Sequence, residues 1–339
     1  NKKEIIDIGD FYYSQTSEDV FEEITSGSSG QVLECKKTSY ERMQLAYQIW
    51  LRRRKLDAEV NIDNFVDLFS DEVEDIIGRF YDVNESKVAG NFHKIMSLNP
   101  RWISGPISLI HRFATMILEG KLEYQNSGTL KFIELTGEYN NSNRVNEIKQ
   151  VFNCNVVDYY GTRETWCIAY TCLNGRMHVQ SNMLVDTQDV GSKSNLLLTS
   201  LVNKYMPFIK YDVGDYGRLA QSHCECGNSS VTLELDGGRV TDIITGSNIL
   251  GNYFFDQIIW EACAACKMSI CQIQVEQTGL FSFIIYIVKG IKYDMVVEDI
   301  ILKRLRAEIG ENTSATFKYV SKLKPLKNGK VRKFYPCIE

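Results

Sequence analysis

The sequence predicts an α/β protein with two domains. In the first third of its 339 residues, apolar residues recur mainly at helical spacing. From Leu130 onward, strand and helix patterns alternate. Near Gly237 and Gly238 the pattern changes again. We therefore expect a large N-terminal α/β domain (1–240), with a parallel sheet and a small β-barrel-like portion, and a small α+β C-terminal lid domain (241–339).

The helices of the first third are predicted over 43–56, 71–80 and 107–118, where apolar residues recur at helical spacing. The first of them carries the run Arg52, Arg53, Arg54 and Lys55, which we expect to be a solvated helix face. After it, a strand over 130–135, a helix over 143–152 and a strand over 155–160 predict a β-α-β unit with parallel strands.

The segments 175–186, 195–201, 207–214, 216–221 and 229–235 have few helical signals and predict antiparallel strands or a small barrel. The last 100 residues predict a strand, a helix over 254–263, strands over 271–277 and 281–288, a helix over 295–309 and a strand over 315–320.

Composition restricts the classes of partner. Hydrophobic residues make up 44% and charged residues 24%, which is typical of a folded globular chain and excludes a disordered one. The net charge of −5 offers no basic face, and no apolar run approaches the roughly 20 residues of a membrane span, so we expect neither a nucleic-acid nor a membrane partner. The start lacks a secretory pattern and the ten cysteines are scattered, so a cytoplasmic location is expected.

Five short segments carry candidate chemistry. The first is Thr25, Ser26, Gly27, Ser28, Ser29 and Gly30, whose glycines and hydroxyls can surround phosphate oxygens, although a plain surface loop of this composition is equally expected from it alone. It is not a Walker A loop, because no Gly-Lys-Ser/Thr follows. The other four segments are 158–164, 211–215, 238–242 and 328–332.

These five segments, in this order, resemble the adenylate-forming superfamily of acyl-CoA synthetases. The resemblance extends from TSGSSG to NGKVR, includes 100–110 and Thr136-Gly137-Glu138, and is greatest to the branch of phenylacetate-CoA ligases and their CapK-like capsule-biosynthesis relatives. It implies a ligase that uses ATP and Mg²⁺ to convert a carboxylic acid to an acyl-adenylate. The activated acyl group then passes to coenzyme A after the lid rotates at Thr241 or Asp242.

The resemblance also implies a role for each matching residue. It places Thr25 to Gly30 on the β- and γ-phosphates, Glu164 on Mg²⁺, Asp215 on the ribose hydroxyls, Arg239 on ribose and phosphate, and the lid lysine Lys330 on the carboxylate and α-phosphate. The remaining residues that it assigns to nucleotide binding are Gly137, Glu138, Tyr159, Tyr160, Gly161, Thr162 and Arg163.

The sequence departs from the family pattern in two places. Gln31, Val32 and Leu33 follow the TSGSSG loop where a Pro and often a Lys are usual, and Arg163 stands where a hydroxyl residue usually precedes the Glu. Three functions stay open: transfer to coenzyme A, transfer to a carrier-protein thiol or an amine, and a non-catalytic zinc-stabilised binding protein of the same fold. Assembly as a homodimer is left open as well.

A structural zinc site is predicted at Cys172, His178, Cys224 and Cys226. Three thiolates and one imidazole are an ordinary zinc set, and the glycine after Cys226 completes a Cys-x-Cys-Gly pattern typical of a zinc knuckle. The alternative is that Cys172 is a core thiol and the Cys-x-Cys pair a surface turn, and His223 is the competing histidine. Cys263 and Cys266 lie in a helical pattern and are expected to be buried thiols.

Aromatic residues near the matching segments suggest the class of acid. The resemblance places Trp102, Tyr139, Tyr159 and Trp166 near the acyl pocket, and aromatic walls would suit a flat aryl acid. The same residues are also ordinary core components. His93 and His111, in helical patterns beside apolar residues, are further candidates for that pocket.

Overall fold

The fold is taken from a computed structural model of the chain. It describes residues 2–13, 19–24, 33–68, 85–138, 140, 142–190, 193–220, 223–239, 243–244, 250–251, 255, 258, 262, 266, 270–290, 292–323 and 334–337. The chain forms two compact units, Asn1–Asp236 and Gly237–Glu339. The boundary predicted between 240 and 241 lies outside the described residues and stays a prediction.

The N-terminal part of the first unit contains a hairpin and a long helix. Helix α1 spans Lys2–Ile8, strands β1 (Val20–Ile24) and β2 (Glu34–Thr38) pair antiparallel, and helix α2 spans Ser39–Leu56. Helix α2 begins where it does because Thr38 and Glu41 form a capping box, in which each side chain accepts a hydrogen bond from the other residue's backbone amide. The predicted phosphate loop, 25–30, connects β1 to β2 and lies outside the described residues.

A parallel β/α layer follows. Strands β3 (Phe65–Asp67), β4 (Trp102–Gly105), β5 (Phe132–Thr136) and β6 (Asn155–Thr162) pair in parallel. The helices of this layer are α3 (Glu85–Ser97), α4 (Ile107–Leu118) and α5 (Ser142–Phe152). Their apolar faces and the strands share one core that includes Phe92, Ile110, Ile133 and Phe152. The predicted β-α-β unit is confirmed.

Antiparallel strands extend this sheet. They are β7 (Trp166–Thr171), β8 (Met177–Val179), β9 (Met183–Val190), β10 (Lys193–Ser200), β11 (Tyr211–Ala220) and β12 (Thr232–Arg239). Within the described residues ten strands join one sheet in the order β3-β4-β5-β6-β7-β8-β12-β11-β10-β9. Apolar side chains from β7 to β12, among them Ile168, Leu196 and Leu233, form a second core on this antiparallel part of the sheet.

The second unit is a small α+β sheet. Its described elements are β13 (Ile243–Ile244), β14 (Leu250–Gly251), β15 (Ile270–Gly279), β16 (Ser282–Lys289), α6 (Val296–Ile309), β17 (Ser314–Tyr319) and β18 (Phe334–Tyr335). Helix α6 buries Val297, Ile301, Leu305 and Ile309 in this unit's core. Of the helix predicted over 254–263, the described residues 255, 258 and 262 are helical and buried, as a helical repeat requires. The predicted fold class is confirmed.

The described part of the first third is mainly helical, as predicted, and it also contains the short strands β1 to β4, which the periodicity did not indicate. One expectation for this region was wrong. The arginine run is not uniformly solvated: Arg52 and Arg53 are only 2% and 8% exposed, and both contact the buried carboxylate of Glu134 on β5.

The helix predicted over 71–80 lies outside the described residues. Among the helices of the described ranges, none has the length and the apolar character to cross a membrane.

Candidate active site

The candidate active site is built around the turn that joins β6 to β7. Glu164 occupies this turn, just beyond the carboxyl end of a strand that pairs in parallel with its neighbour, which is where ligands bind in open α/β sheets. Glu164 is buried, with only 5% of its surface exposed, and one of its carboxylate oxygens accepts a hydrogen bond from the Tyr211 hydroxyl at 2.9 Å. The Asn203 amide donates to the Glu164 carbonyl at 3.3 Å. Both the backbone and the carboxylate of Glu164 are therefore held in place.

Asp215 approaches the same turn from a distant strand. The Tyr160 hydroxyl on β6 donates to the Asp215 carboxylate on β11 at 2.8 Å. Three strands separate β6 from β11 in the sheet order, so a flat sheet would hold them about 19 Å apart. The antiparallel part of the sheet must curl back, and this curling brings Tyr160, Glu164, Tyr211 and Asp215 together.

Gly161 allows the chain to pass closely through this turn. A Cβ atom at this position would lie 2.5 Å from the Trp166 carbonyl oxygen and 2.6 Å from the Tyr159 ring, closer than any real Cβ contact. The register of β6 with β7 shifts between Tyr160 and Gly161, which marks a bulge. Trp166, at the start of β7, has a positive φ of 60°, an unfavourable conformation for a bulky residue. The turn is a tight, specified structure.

The β1–β2 hairpin contacts this turn through a buried charge pair that sequence reasoning missed. The Lys37 ammonium donates to Glu23 at 3.0 Å and to the backbone carbonyl of Arg163 at 2.7 Å. The indole N–H of Trp166 donates to the same Glu23 oxygen at 2.9 Å. No spacing rule marks these pairs, because the partners are 126 and 143 residues apart.

The remaining predicted nucleotide residues lie at the same edge or outside the described part. Gly137, with a φ of 79°, and Glu138 follow β5, whose Thr136 pairs with Tyr159 on β6. Thr162 and Thr165 lie within the turn, their hydroxyls 3.3 Å apart. Arg239 ends β12, with its side chain outside the described structure, and Thr25, Ser26, Gly27, Ser28, Ser29, Gly30 and Lys330 are outside it altogether.

The four predicted zinc ligands converge in the first unit. Cys172 follows β7, His178 lies in β8, and Cys224 and Cys226 lie in the connection from β11 to β12. Their ligand atoms all lie within 4.8 Å of one another. The Cys172 and Cys224 sulfurs are 3.7 Å apart, and the Cys226 sulfur is 3.3 Å from Nε2 of His178. Tetrahedral zinc with bonds near 2.3 Å would place its sulfurs about 3.8 Å apart, so these residues fit the ion.

Two further features prepare this cluster for a cation. Nδ1 of His178 lies 3.4 Å from the Ser230 carbonyl, so an N–H donated there leaves Nε2 as a lone-pair donor. The pKa of the Cys224 thiol is lowered to about 6, chiefly by a hydrogen bond from the Cys226 backbone amide, against the effect of burial. Thiolate is the ligating form of cysteine. His223, the competing histidine, is not part of the cluster.

The cluster is separate from the Glu164 turn. Cys172 lies six residues along β7 from Trp166, which corresponds to about 20 Å of extended chain. β7 runs antiparallel to β6, so the two sites are at opposite ends of the same hairpin. A metal held here would stabilise the antiparallel part of the sheet and would not contact ligands at Glu164.

The aromatic and histidine candidates for an acyl pocket have other partners. Trp102 is fully buried, stacks on Phe132 at 4.3 Å and donates its indole N–H to Asp57, so it is a core residue. His111 pairs with Glu147 at 2.6 Å across α4 and α5, and His93 is exposed on α3. Tyr139 lies outside the described residues.

Cys266 is partly buried against the core of the second unit, and Cys263 is outside the described residues. Of the two thiols predicted to be buried, the structure therefore describes only that of Cys266.

The comparisons with known proteins rest on structure. No protein-family model matches the sequence, and no curated protein sequence matches it. Among solved structures, 2-hydroxyisobutyryl-CoA ligase in the postadenylation state, in complex with R3-HIB-AMP, is similar with a TM-score of 0.68 and 15% identity over 96% of this chain and 75% of that chain.

Two further ligases are similar to the chain. O-succinylbenzoate coenzyme A synthetase from Bacillus subtilis, in complex with ATP and magnesium ion, matches with a TM-score of 0.61 and 13% identity over 92% of this chain and 68% of that chain. The anthranilate CoA ligase AuaEII, in complex with anthranoyl-AMP, matches with a TM-score of 0.63 and 10% identity over 92% of this chain and 65% of that chain. The chain therefore has the fold of CoA ligases that form acyl-adenylates.

Proposed function

We propose that the protein is an ATP- and Mg²⁺-dependent ligase that adenylates a carboxylic acid and transfers the acyl group to coenzyme A. One observation carries the proposal: the Tyr160–Asp215 and Tyr211–Glu164 pairs meet at the carboxyl edge of the parallel strands. They do so in a fold shared with ligases solved with ATP and magnesium or with acyl-AMP.

The described residues would divide the binding of ATP between them. The Asp215 carboxylate, oriented by Tyr160, is a fixed pair of acceptors suited to the two ribose hydroxyls. Glu164, oriented by Tyr211, offers an oxygen to Mg²⁺, a hard cation that prefers carboxylates and phosphates. Mg²⁺ would supply charge neutralisation on the phosphates. Gly137, Glu138, Tyr159, Gly161, Thr162 and Arg163 would complete the nucleotide site.

The chemical step would depend on positioning and charge, because in-line attack of a carboxylate on the α-phosphorus leaves little covalent work for the protein. In this proposal the loop Thr25 to Gly30 binds the β- and γ-phosphates, Arg239 binds ribose and phosphate, and Lys330 neutralises the negative charge that builds up between the attacking carboxylate and the α-phosphate.

The zinc assignment is part of the same proposal. Cys172, His178, Cys224 and Cys226 would bind one structural zinc, since all four ligand positions are filled by protein. Elemental analysis should find about one zinc per chain, and Cys226→Ser should lose it together with thermal stability. His223→Ala is the matched control and should keep its zinc. Folded wild-type protein without bound metal would contradict the assignment.

The finer expectations concern the acid and the acceptor. The resemblance to the phenylacetate-CoA ligase branch favours an aryl acid, and coenzyme A is the favoured acceptor because the similar solved structures are CoA ligases. A carrier-protein thiol or an amine is the alternative acceptor.

The decisive experiment measures pyrophosphate release from ATP across a panel of aryl and aliphatic acids, with and without coenzyme A. Release with aryl acids, stimulated by coenzyme A, is the expected result. Release that coenzyme A leaves unchanged would indicate another acceptor. No release by protein that is folded and binds zinc would support the non-catalytic binding protein.

A further inference from the structure

We propose that Lys37 is a positioning residue that ties the β1–β2 hairpin to the Arg163–Glu164 turn and thereby sets how the phosphate end of the nucleotide is bound. This inference rests on the proposed function. It concerns a residue outside the motifs of the sequence analysis, and it uses only contacts within the first unit.

The burial of Lys37 is the first observation. Its exposure is 0%, and lysine is almost never fully buried unless its charge is paired. Here the ammonium is paired with Glu23 on β1 at 3.0 Å and lies 5.9 Å from the centre of the Trp166 ring. Burial of this kind costs side-chain entropy and desolvation, so a purely local role in a two-stranded hairpin would be better filled by an apolar residue.

The second observation is what the ammonium contacts beyond Glu23. It donates to the backbone carbonyl of Arg163 at 2.7 Å, a short, charge-assisted hydrogen bond. Arg163 immediately precedes Glu164, so this bond fixes the peptide group that leads into the proposed Mg²⁺ ligand. The Arg163 side chain is exposed while its main chain is held, so its guanidinium reaches toward a phosphate from a fixed backbone position.

The third observation is the strain at the other end of the turn. Trp166 has a φ of 60°, a conformation that persists only where surrounding contacts enforce it. Two contacts constrain this residue: its indole N–H donates to Glu23 at 2.9 Å, and its backbone pairs with Thr162 on β6. The hairpin therefore holds both ends of the turn, through Lys37 at Arg163 and through Glu23 at Trp166.

The turn that Lys37 holds leads directly into Glu164, the proposed Mg²⁺ ligand at the phosphate end of the nucleotide. Loss of the Lys37–Arg163 bond should displace the peptide group that precedes Glu164. Displacements of about 1 Å in such sites lower reaction rates by up to about a hundredfold.

The test compares how tightly the full chain binds MgATP, AMP and adenosine by isothermal titration calorimetry. Lys37→Met should weaken MgATP binding at least tenfold and change adenosine binding by less than twofold, because only the phosphate end is affected. Lys36→Met is the matched control: it makes the same change at the neighbouring lysine of β2, which pairs with Glu22 at 3.4 Å, and it keeps the Lys37–Arg163 bond. It should leave the ratio of ATP to adenosine affinity within twofold.

A second variant guards against misfolding. Lys37→Met removes the nearer of the two cations beside Glu23 and leaves Arg42, whose Nε lies 3.6 Å from the carboxylate. Glu23→Gln with Lys37→Met removes both charges of the Lys37–Glu23 pair and should fold. The double variant should show the same selective loss of MgATP affinity as Lys37→Met.

Two outcomes would overturn the proposal alone, with nucleotide binding by the wild type intact. They are an unchanged affinity ratio in the Lys37→Met and double variants, or an equal loss in Lys36→Met, which would show that the loss does not depend on the Lys37–Arg163 bond. Wild-type protein that binds neither adenosine nor MgATP would overturn the proposed function and this inference with it.

Discussion

The buried charge group on β5 leads to a quantitative prediction for Glu134→Gln. Glu134 is fully buried, and its carboxylate accepts hydrogen bonds from Arg52 and, at 2.7 Å, from Nη2 of Arg53. Burial by itself would raise the pKa of Glu134, but the two guanidinium groups outweigh it and lower the pKa to about 2. The variant would leave two buried cations without an anion.

The size of the effect follows from that pKa. A lowering from 4.5 to about 2 corresponds to roughly 3 kcal/mol of stabilisation at pH 7. Removal of one member of a buried ion pair costs about 3–5 kcal/mol in general, which agrees. We therefore expect Glu134→Gln to lower the free energy of unfolding by about 3–4 kcal/mol at pH 7.

Urea denaturation followed by tryptophan fluorescence is the suitable assay, because Trp50, Trp102 and Trp166 all lie in the first unit. The matched control is Glu59→Gln, which removes an exposed carboxylate 2.7 Å from Arg101 and should cost less than about 1 kcal/mol.

The pH dependence has a definite sign. A lowered pKa contributes stability that is present above the ordinary value near 4.5 and is lost as the pH falls toward 2. The difference between wild type and Glu134→Gln should therefore shrink as the pH is lowered from 5.5 to 3. A loss below about 1 kcal/mol at pH 7, or a difference that grows in acid, would refute the reasoning.

Three further predictions concern single residues. Gly161→Ala should destabilise the protein by about 1–3 kcal/mol, since its Cβ would lie 2.5 Å from the Trp166 carbonyl oxygen. The control Gly90→Ala, on an open face of α3, should be neutral or slightly stabilising. Equal melting temperatures of the two variants would contradict this prediction. Burial raises the pKa of Asp158 to about 6, so the stability that its protonated form contributes is lost as the pH rises through 6. Asp158→Asn should therefore have a higher melting temperature than the wild type at pH 8 but not at pH 4. Lys330→Ala should reduce pyrophosphate release by about 10² to 10⁴ while ATP affinity stays nearly unchanged, and a parallel loss of both would remove Lys330 from the chemical step.

Local patterns in the sequence determined a large share of the fold. The helix expected over 107–118 is α4, Ile107–Leu118, and the β-α-β unit follows as expected. Antiparallel strands also form, but the segments predicted separately over 207–214 and 216–221 belong to one strand, β11, and β7 was not predicted. These elements were predictable because their periodicity records which face is buried, a property that neighbouring residues share. The convergence of Cys172, His178, Cys224 and Cys226 was predictable for a chemical reason, because three thiolates and one imidazole are an ordinary zinc set. The bound zinc itself stays a prediction.

The tertiary structure alone decided which charges are buried and which residues meet. The basic run 52–55 looks uniform in the sequence. Arg52 and Arg53 are nevertheless buried against Glu134, about 80 residues away, whereas Arg54 and Lys55 are exposed. Lys37 is adjacent to Lys36, yet only Lys37 crosses to the Arg163 carbonyl. Such pairings depend on the curl of the sheet and on where distant strands pass, and a one-dimensional pattern does not encode the distance between them.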